Sequence, residues 1–178
     1  MIQWIILRLK PRTAKNNIGE FFYLHVDFYF AYAYNKVMNF DDNFLIEVGL
    51  SNLPADKKAA FLQQTKDELE LRVGSKMSEG MSGAQITEFE GIMNNDQQVI
   101  RKVISELGVD FRTDPIYRKL LEHYNVTEGT WEIISEYLSI KWIQKNRPDY
   151  HDIVTNTANE LKAEIKQNAA SILSAQGV

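Results

Sequence analysis

Histidine is the side chain best placed to move a proton or hold a metal near neutral pH, and this sequence has three: His25, His123 and His151. None has a glutamate three residues away, so the Glu-x-x-His ligand pair of carboxylate-bridged bundles is missing. No His-Glu-x-x-His run exists either. Asn94, Asn95 and Asp96 open like a calcium loop, but the glycine and the closing bidentate glutamate of such a loop do not follow. The chain has no cysteine, which removes thiolate nucleophiles, disulfides, iron–sulfur ligation and cysteine-based zinc sites together. The expectation is a protein with no metal centre and no cofactor.

Carboxylates are the next candidates. Asp67, Glu68 and Glu70 lie close together, as do Glu88 and Glu90. Asp67 and Glu70 share a helix face, which is a geometry that acid–base chemistry can use. Lys66 and Arg72 flank them, however, and a solvated, charge-paired helix surface accounts for the pattern. His151 and Asp152 are adjacent, and neighbours on a helix point apart, so they form no aligned dyad. No serine sits in a nucleophile-elbow context. The glycines Gly74, Gly80, Gly83 and Gly91 punctuate helices instead of following a strand, so no phosphate-binding loop is present. No catalytic residue is assigned, and the chain reads as a non-enzyme.

One cluster remains: Lys141, Trp142, Lys145, Arg147 and Tyr150 mix cations with aromatic rings, as surfaces for single-stranded nucleic acid do. Trp142 and Tyr150 also fit apolar helical stripes, which makes them core residues and the cations a solvated rim. On that basis Lys141, Lys145 and Arg147 are expected to be exposed where two helices join at Pro148. They are the candidate partner-binding residues, suited to an acidic protein surface.

These residues are carried by helices whose ends are written in the sequence. Asp41 or Asp42 can cap a short helix carrying Phe44, Leu45 and Val48, stopped by Gly49. Pro54 opens a longer one, in which Phe61, Leu62, Leu69, Val73 and Met77 recur at helical spacing. Gly80 suits the left-handed position that closes it. Ser82 and Gln85 have capping-box spacing for the next helix, with Ile86, Phe89 and Met93 in its stripe. Only Gly80 and Met81 separate the two patterns, which predicts an αα-hairpin. Gly74 inside the longer helix points to close approach of a neighbour. Val99, Ile100, Val103, Ile104 and Leu107 make a helix ended by Gly108. Asp114–Pro115 starts another, with Ile116, Tyr117, Leu120, Leu121 and Tyr124. Thr127 or Thr130 can cap a helix with Trp131, Ile134, Leu138 and Trp142 in its stripe. Pro148 ends that helix by Arg147 and opens a long last one through Tyr150, Val154, Thr157, Leu161, Ile165 and Ile172. Short connections predict an all-α, antiparallel bundle of six to seven helices.

The first 37 residues differ. They carry five basic and two acidic side chains, a net of +3, so the remainder carries −7 of the chain total of −4. Alternating Phe22, Leu24, Val26, Phe28, Phe30, Tyr32 and Tyr34 favour a strand or β-hairpin; a short helix is the alternative. A third reading, which the abrupt change of composition favours, has translation starting at Met38, with 1–37 as an extension and 38–178 as the helical domain. With 178 residues and 44% hydrophobic side chains the chain can build a core. Its acidic balance argues against a dedicated duplex-DNA binder. No run reaches the roughly 20 apolar residues that a membrane span needs. The opening Ile2–Leu9 run has its basic residues in the wrong order for a secretory signal. A soluble, cytoplasmic protein is expected.

Four stretches, FLIEVGLSNLPADKKAAFL, ELELRVGSKMSEGMS, QITEFE and WIQKNRPDYHDIVTNTANELKAEI, fall within about residues 38–93 and 142–170. In their order and spacing the chain resembles an uncharacterised bacterial family, the domain of unknown function numbered 5663. Residues 94–141 form a longer connection than in its shorter members, and residues 1–37 have no counterpart. The resemblance implies a small helical domain from a bacterium and brings no catalytic residue. The sequence thus favours a helical protein–protein interaction or adaptor protein; a small enzyme with an unrecognised site and a weak single-strand binder are the alternatives. If 38–178 is the folded unit, a chain starting at Met38 should show a helical far-ultraviolet spectrum and melt as cooperatively as the full chain. Loss of the melt on truncation would place the first 37 residues in the core.

Overall fold

The computed structural model describes residues 38–108 and 110–177. The expected strand or hairpin, and the expected boundary at Met38, concern residues 1–37 and lie outside the described ones. Among the described residues seven α-helices occur in order: α1 Asp42–Glu47, α2 Ala55–Ser78, α3 Gly83–Met93, α4 Gln97–Leu107, α5 Pro115–Tyr124, α6 Trp131–Asn146 and α7 Tyr150–Ala175. A short 3-10 turn, Phe111–Thr113, precedes α5. No strand occurs among the described residues, and none of their helices is long and apolar enough to cross a membrane.

The helix ends are fixed by the side chains that the sequence offers for the purpose. Asp41 accepts from the Phe44 N–H at 3.1 Å, and Asp96 from Gln98 at 2.9 Å. Asp114 accepts from the Ile116 N–H at 2.8 Å, with Pro115 opening the first turn of α5. Ser82 and Gln85 close a reciprocal capping box on α3. Each such cap is worth about 1 kcal/mol. Thr130 stands at the cap position of α6, but its side chain makes no capping bond. Gly49 and Gly108 close α1 and α4 in the left-handed region, at φ 80° and 64°.

The expected hairpin of α2 on α3 does not form. α2 packs along α7, whereas α3 packs on α6 and α4. The reason is local. Glu79 and Ser82 are both extended, with ψ 128° and 156°, so the chain leaves α2 without folding back on it. Gly74 is buried.

α2 and α7 run antiparallel. Arg72 bonds Glu164 at 2.7 Å and Lys76 bonds Glu160 at 2.6 Å, so the numbers rise on one helix as they fall on the other. Under these pairs lie Leu69, Val73 and Met77 on α2, and Val154, Leu161 and Ile165 on α7, all buried. Partly exposed ion pairs contribute at most about 1 kcal/mol each. Burying a large aliphatic side chain contributes roughly 1.5–3 kcal/mol. Burial therefore holds the pair together and the charges set its register.

α6 is the central helix. The sequence predicts one apolar stripe through Trp131, Ile134, Leu138 and Trp142, but Trp131 and Ile134 are only half-buried and burial extends around the whole helix. Ile133, Ser135, Glu136, Tyr137, Leu138, Ser139, Ile140, Trp142 and Ile143 are all buried. A helix buried on every face must satisfy its polar groups internally. Ser135 donates to the Ile92 carbonyl at 2.5 Å, and Ser139 to the Ser135 carbonyl at 2.9 Å.

α3 and α4 meet at Gly91, where an added Cβ would lie 2.6 Å from a Val99 methyl. Valine is stiff about χ1, so it cannot swing aside. Gly91→Ala should gain about 1 kcal/mol of helix propensity and lose roughly 1–3 kcal/mol to overpacking. The expected outcome in urea unfolding is net destabilisation, reversed in part by Val99→Ala. A stabilised Gly91→Ala protein would show that the helices can move apart freely.

Candidate functional site

The expected cluster lies at the end of α6 and the start of α7, and three networks position it. The first centres on Asp114. One carboxylate oxygen caps α5; the other accepts from the Tyr137 hydroxyl and from Lys141, each at 3.2 Å. Tyr137 and Lys141 are one turn apart on α6, so the carboxylate ties the α5 terminus to the central helix. Burial pushes the Asp114 carboxyl up, but the Ile116 N–H, Lys141 and Tyr137 outweigh it and hold the group below its ordinary value. Burial, then the Asp114 charge and hydrogen bond, push the Tyr137 hydroxyl up to about 12. Tyr137 also meets Phe111 and Tyr117, the latter ring nearly perpendicular at 5.6 Å.

The second centres on Glu88 of α3. It accepts from the Trp142 indole N–H at 2.9 Å and from Lys102 of α4 at 3.0 Å. Burial raises the Glu88 carboxyl, but the Trp142 bond, Lys102 and the nearby Lys145 charge outweigh it, and the net shift is downward. The Trp142 ring also packs against Phe89, centroids 4.7 Å apart.

The third belongs to Arg147. Its Nη1 donates to the Lys76 and Glu79 carbonyls, both at 3.1 Å, and to the Met77 carbonyl. Nε and Nη2 reach the Asp149 carboxylate at 3.0 and 2.9 Å. The last carbonyls of a helix have no intrahelical partner and lie at the negative end of its dipole. Arg147 supplies both the donors and the charge for the end of α2. Beside it, the Gln85 amide donates to Asn146 at 3.1 Å.

The three candidate cations therefore have different surroundings. Lys145 is exposed, as expected, and makes no salt bridge among the described residues. Lys141 is 30% exposed and paired with Asp114. Arg147 is not exposed as the sequence suggested: its side chain retains 13% of its surface, because α2 ends against it. Trp142 and Tyr150 are core residues, each 4% exposed.

The residues set aside in the sequence are occupied locally. Asp67 accepts from Gln63 at 2.7 Å, Glu68 pairs with Arg72 and Glu70 with Lys66. His151 lies against the Tyr150 ring and His123 against Tyr124. Among the described residues no group of three His, Asp or Glu side chains is placed to hold a metal.

The Asp114 network generates a pH-dependent prediction. A carboxyl held below its unfolded value contributes stability that is present above that value, 3.8, and is lost as pH falls through the folded value. Asp114→Asn keeps a capping acceptor but loses the charge. The parent should exceed it by about 1 kcal/mol at neutral pH. Urea melts at falling pH should show that gap shrinking as pH falls below the unfolded value of 3.8 and through the folded one. A gap independent of pH would mean that the charge contributes nothing.

No curated protein and no solved structure matches the chain. A family model with the description "Protein of unknown function (DUF5663)" matches residues 44–165 and runs across the 94–141 connection as well. The matched range takes in Asp114, Glu88 and Arg147 with all their partners. From Phe44 in the first helix to Ile165 in the last, the chain belongs to the DUF5663 family.

Proposed function

We propose that this chain is a non-enzymatic helical protein, an adaptor or interaction module in the cytoplasm. Its partner is another protein, and an acidic patch on that partner meets the last turn of α6 at Lys145. Lys141 lies one turn back, and Arg147 holds the turn in place. One observation carries this reading. α6 is buried on all sides along its middle and comes out to solvent at Gln144 and Lys145, where the exposed lysine has no salt bridge among the described residues.

The contact is polar. Among the described residues the exposed large hydrophobics are Ile46, Tyr124 and Val126, on α1 and around the end of α5. They do not surround Lys145 in sequence, and a partner docking through apolar area would need a contiguous patch. Binding to single-stranded nucleic acid is less favoured. Such surfaces offer rings for bases to stack on, and Trp142 and Tyr150 are both buried.

The test is Lys145→Glu, with Arg147→Glu beside it. Lys145→Glu should leave stability within about 0.5 kcal/mol, as for other exposed surface changes. Association with a protein captured by the parent should slow about tenfold at low salt, and the difference should narrow as salt rises. Arg147→Glu should instead lower the melting temperature, because it places a carboxylate against helix carbonyls. Equal association rates for Lys145→Glu and the parent would exclude the last turn of α6 as the contact. Turnover of a small-molecule substrate by the parent would exclude the non-enzymatic reading.

A further inference from the structure

Two sets of helices divide the described residues. In one, α2 packs along α7, Lys162 of α7 pairs with Glu47 of α1, and Gly49 lies 3.5 Å from Ala169 when given a Cβ. In the other, α6 packs on α3, α4 and α5, and α3 on α4. Among the described residues every extensive helix–helix contact falls inside one set or the other. The chain crosses between them twice, at residues 79–82 and at residues 147–149.

The two crossings lie side by side. The Arg147 guanidinium on one reaches the carbonyls of Lys76, Met77 and Glu79 at the start of the other, and Gln85 bonds Asn146 just beyond them. Both crossings contain backbone outside the helical region: Glu79 at ψ 128°, Gly80 at φ 79° and Arg147 at φ −136°. Hinges are built from a few such terminal residues, which absorb the dihedral change while the helices on either side stay rigid. A pair of adjacent crossings defines an axis, because each supplies one pivot.

We propose that residues 79–82 and 147–149 form a two-pivot hinge between the α1/α2/α7 set and the α3–α6 set, with Arg147 as the latch that holds it closed. The inference rests on the fold and not on the identity of any partner. The latch is a single side chain, and water can take its place on the helix carbonyls when it leaves. Buried side chains from both sets join one hydrophobic core, which favours the closed form and limits the excursion.

The chain has no cysteine, so spin labels can be placed without removing a native thiol. Ala60→Cys with Lys119→Cys reports across the hinge, from α2 to α5; Ala60→Cys with Asn159→Cys reports within one set, from α2 to α7. All three positions are exposed. In Arg147→Gln the cross-hinge distances should broaden and extend by roughly 5 Å, about the length of one helical turn. The within-set distances should stay as in the parent. A cross-hinge distribution as narrow as the parent's would overturn the proposal, and so would equal broadening of both pairs, which would mean general loosening. Should Arg147→Gln fail to fold, Arg147→Lys keeps the charge but removes the fork of donors that reaches the helix carbonyls. Unchanged cross-hinge distances there would also overturn the latch.

Discussion

The end of a long helix is an electrostatic problem, and Arg147 is this protein's answer to it. α2 runs for 24 residues and stops with its last carbonyls against the Arg147 guanidinium. These carbonyls have no partner within the helix and sit at the negative end of its dipole. A lysine could present a point charge there, but a guanidinium presents a planar fork of donors. Arg147 uses one nitrogen on the helix end and the other two on Asp149. Asp149 partly balances the charge and fixes the plane of the fork. The places where the chain leaves α6 and enters α7, and where it leaves α2, are thereby set by one side chain.

The same economy governs the polar groups around α6. A helix surrounded by protein can carry polar side chains where each finds a partner. Ser135 meets the end of α3, Tyr137 meets Asp114, and Trp142 meets Glu88. These bonds join α6 to three different places around it. Apolar packing gives α6 its central position; the directional bonds select one rotation and one depth for it among packings of similar area. Lys141 and Lys145 follow from that rotation, since they lie on the same α6 face as Tyr137 at steps of one turn.

Much of the fold was legible because its signals are local. Asp41 and Asp114 are caps that spacing places, and Gly49 and Gly108 are stops; Asp96, weighed in the sequence only as part of a calcium-like loop, turns out to cap α4. The last helix was legible throughout, since Val154, Leu161, Ile165 and Ile172 repeat at helical intervals and are buried. What was not legible depended on pairing across the chain. The turn at Gly80 looks like a hairpin connection, yet α2 finds its partner in α7, far along the sequence. The stripe on α6 underestimated its burial because Ser135, Glu136 and Ser139, polar residues outside that stripe, lie in the core. Arg147 was read as exposed because the carbonyls it serves are some 70 residues away. The aromatic character of Trp142 did signal burial, and an indole N–H in a core implies an acceptor; that Glu88 supplies it could be known only from the packing.

The pairing of α2 with α7 also sets an order of events during synthesis. Arg72 and Glu164 are separated by 92 residues. At the usual elongation rates of about 5–20 residues per second, α2 waits roughly 5–20 s for its partner to emerge. α3 to α6 are complete sooner, and their contacts span shorter loops, so they can assemble while the buried face of α2 is still without α7. During that interval Leu69, Val73 and Met77 form an apolar strip on a nascent chain. The helix that covers it, α7, emerges only after α3 to α6. A stalled or truncated product lacking α7 therefore carries that strip in the open, where holdase chaperones and proteases recognise unfinished protein.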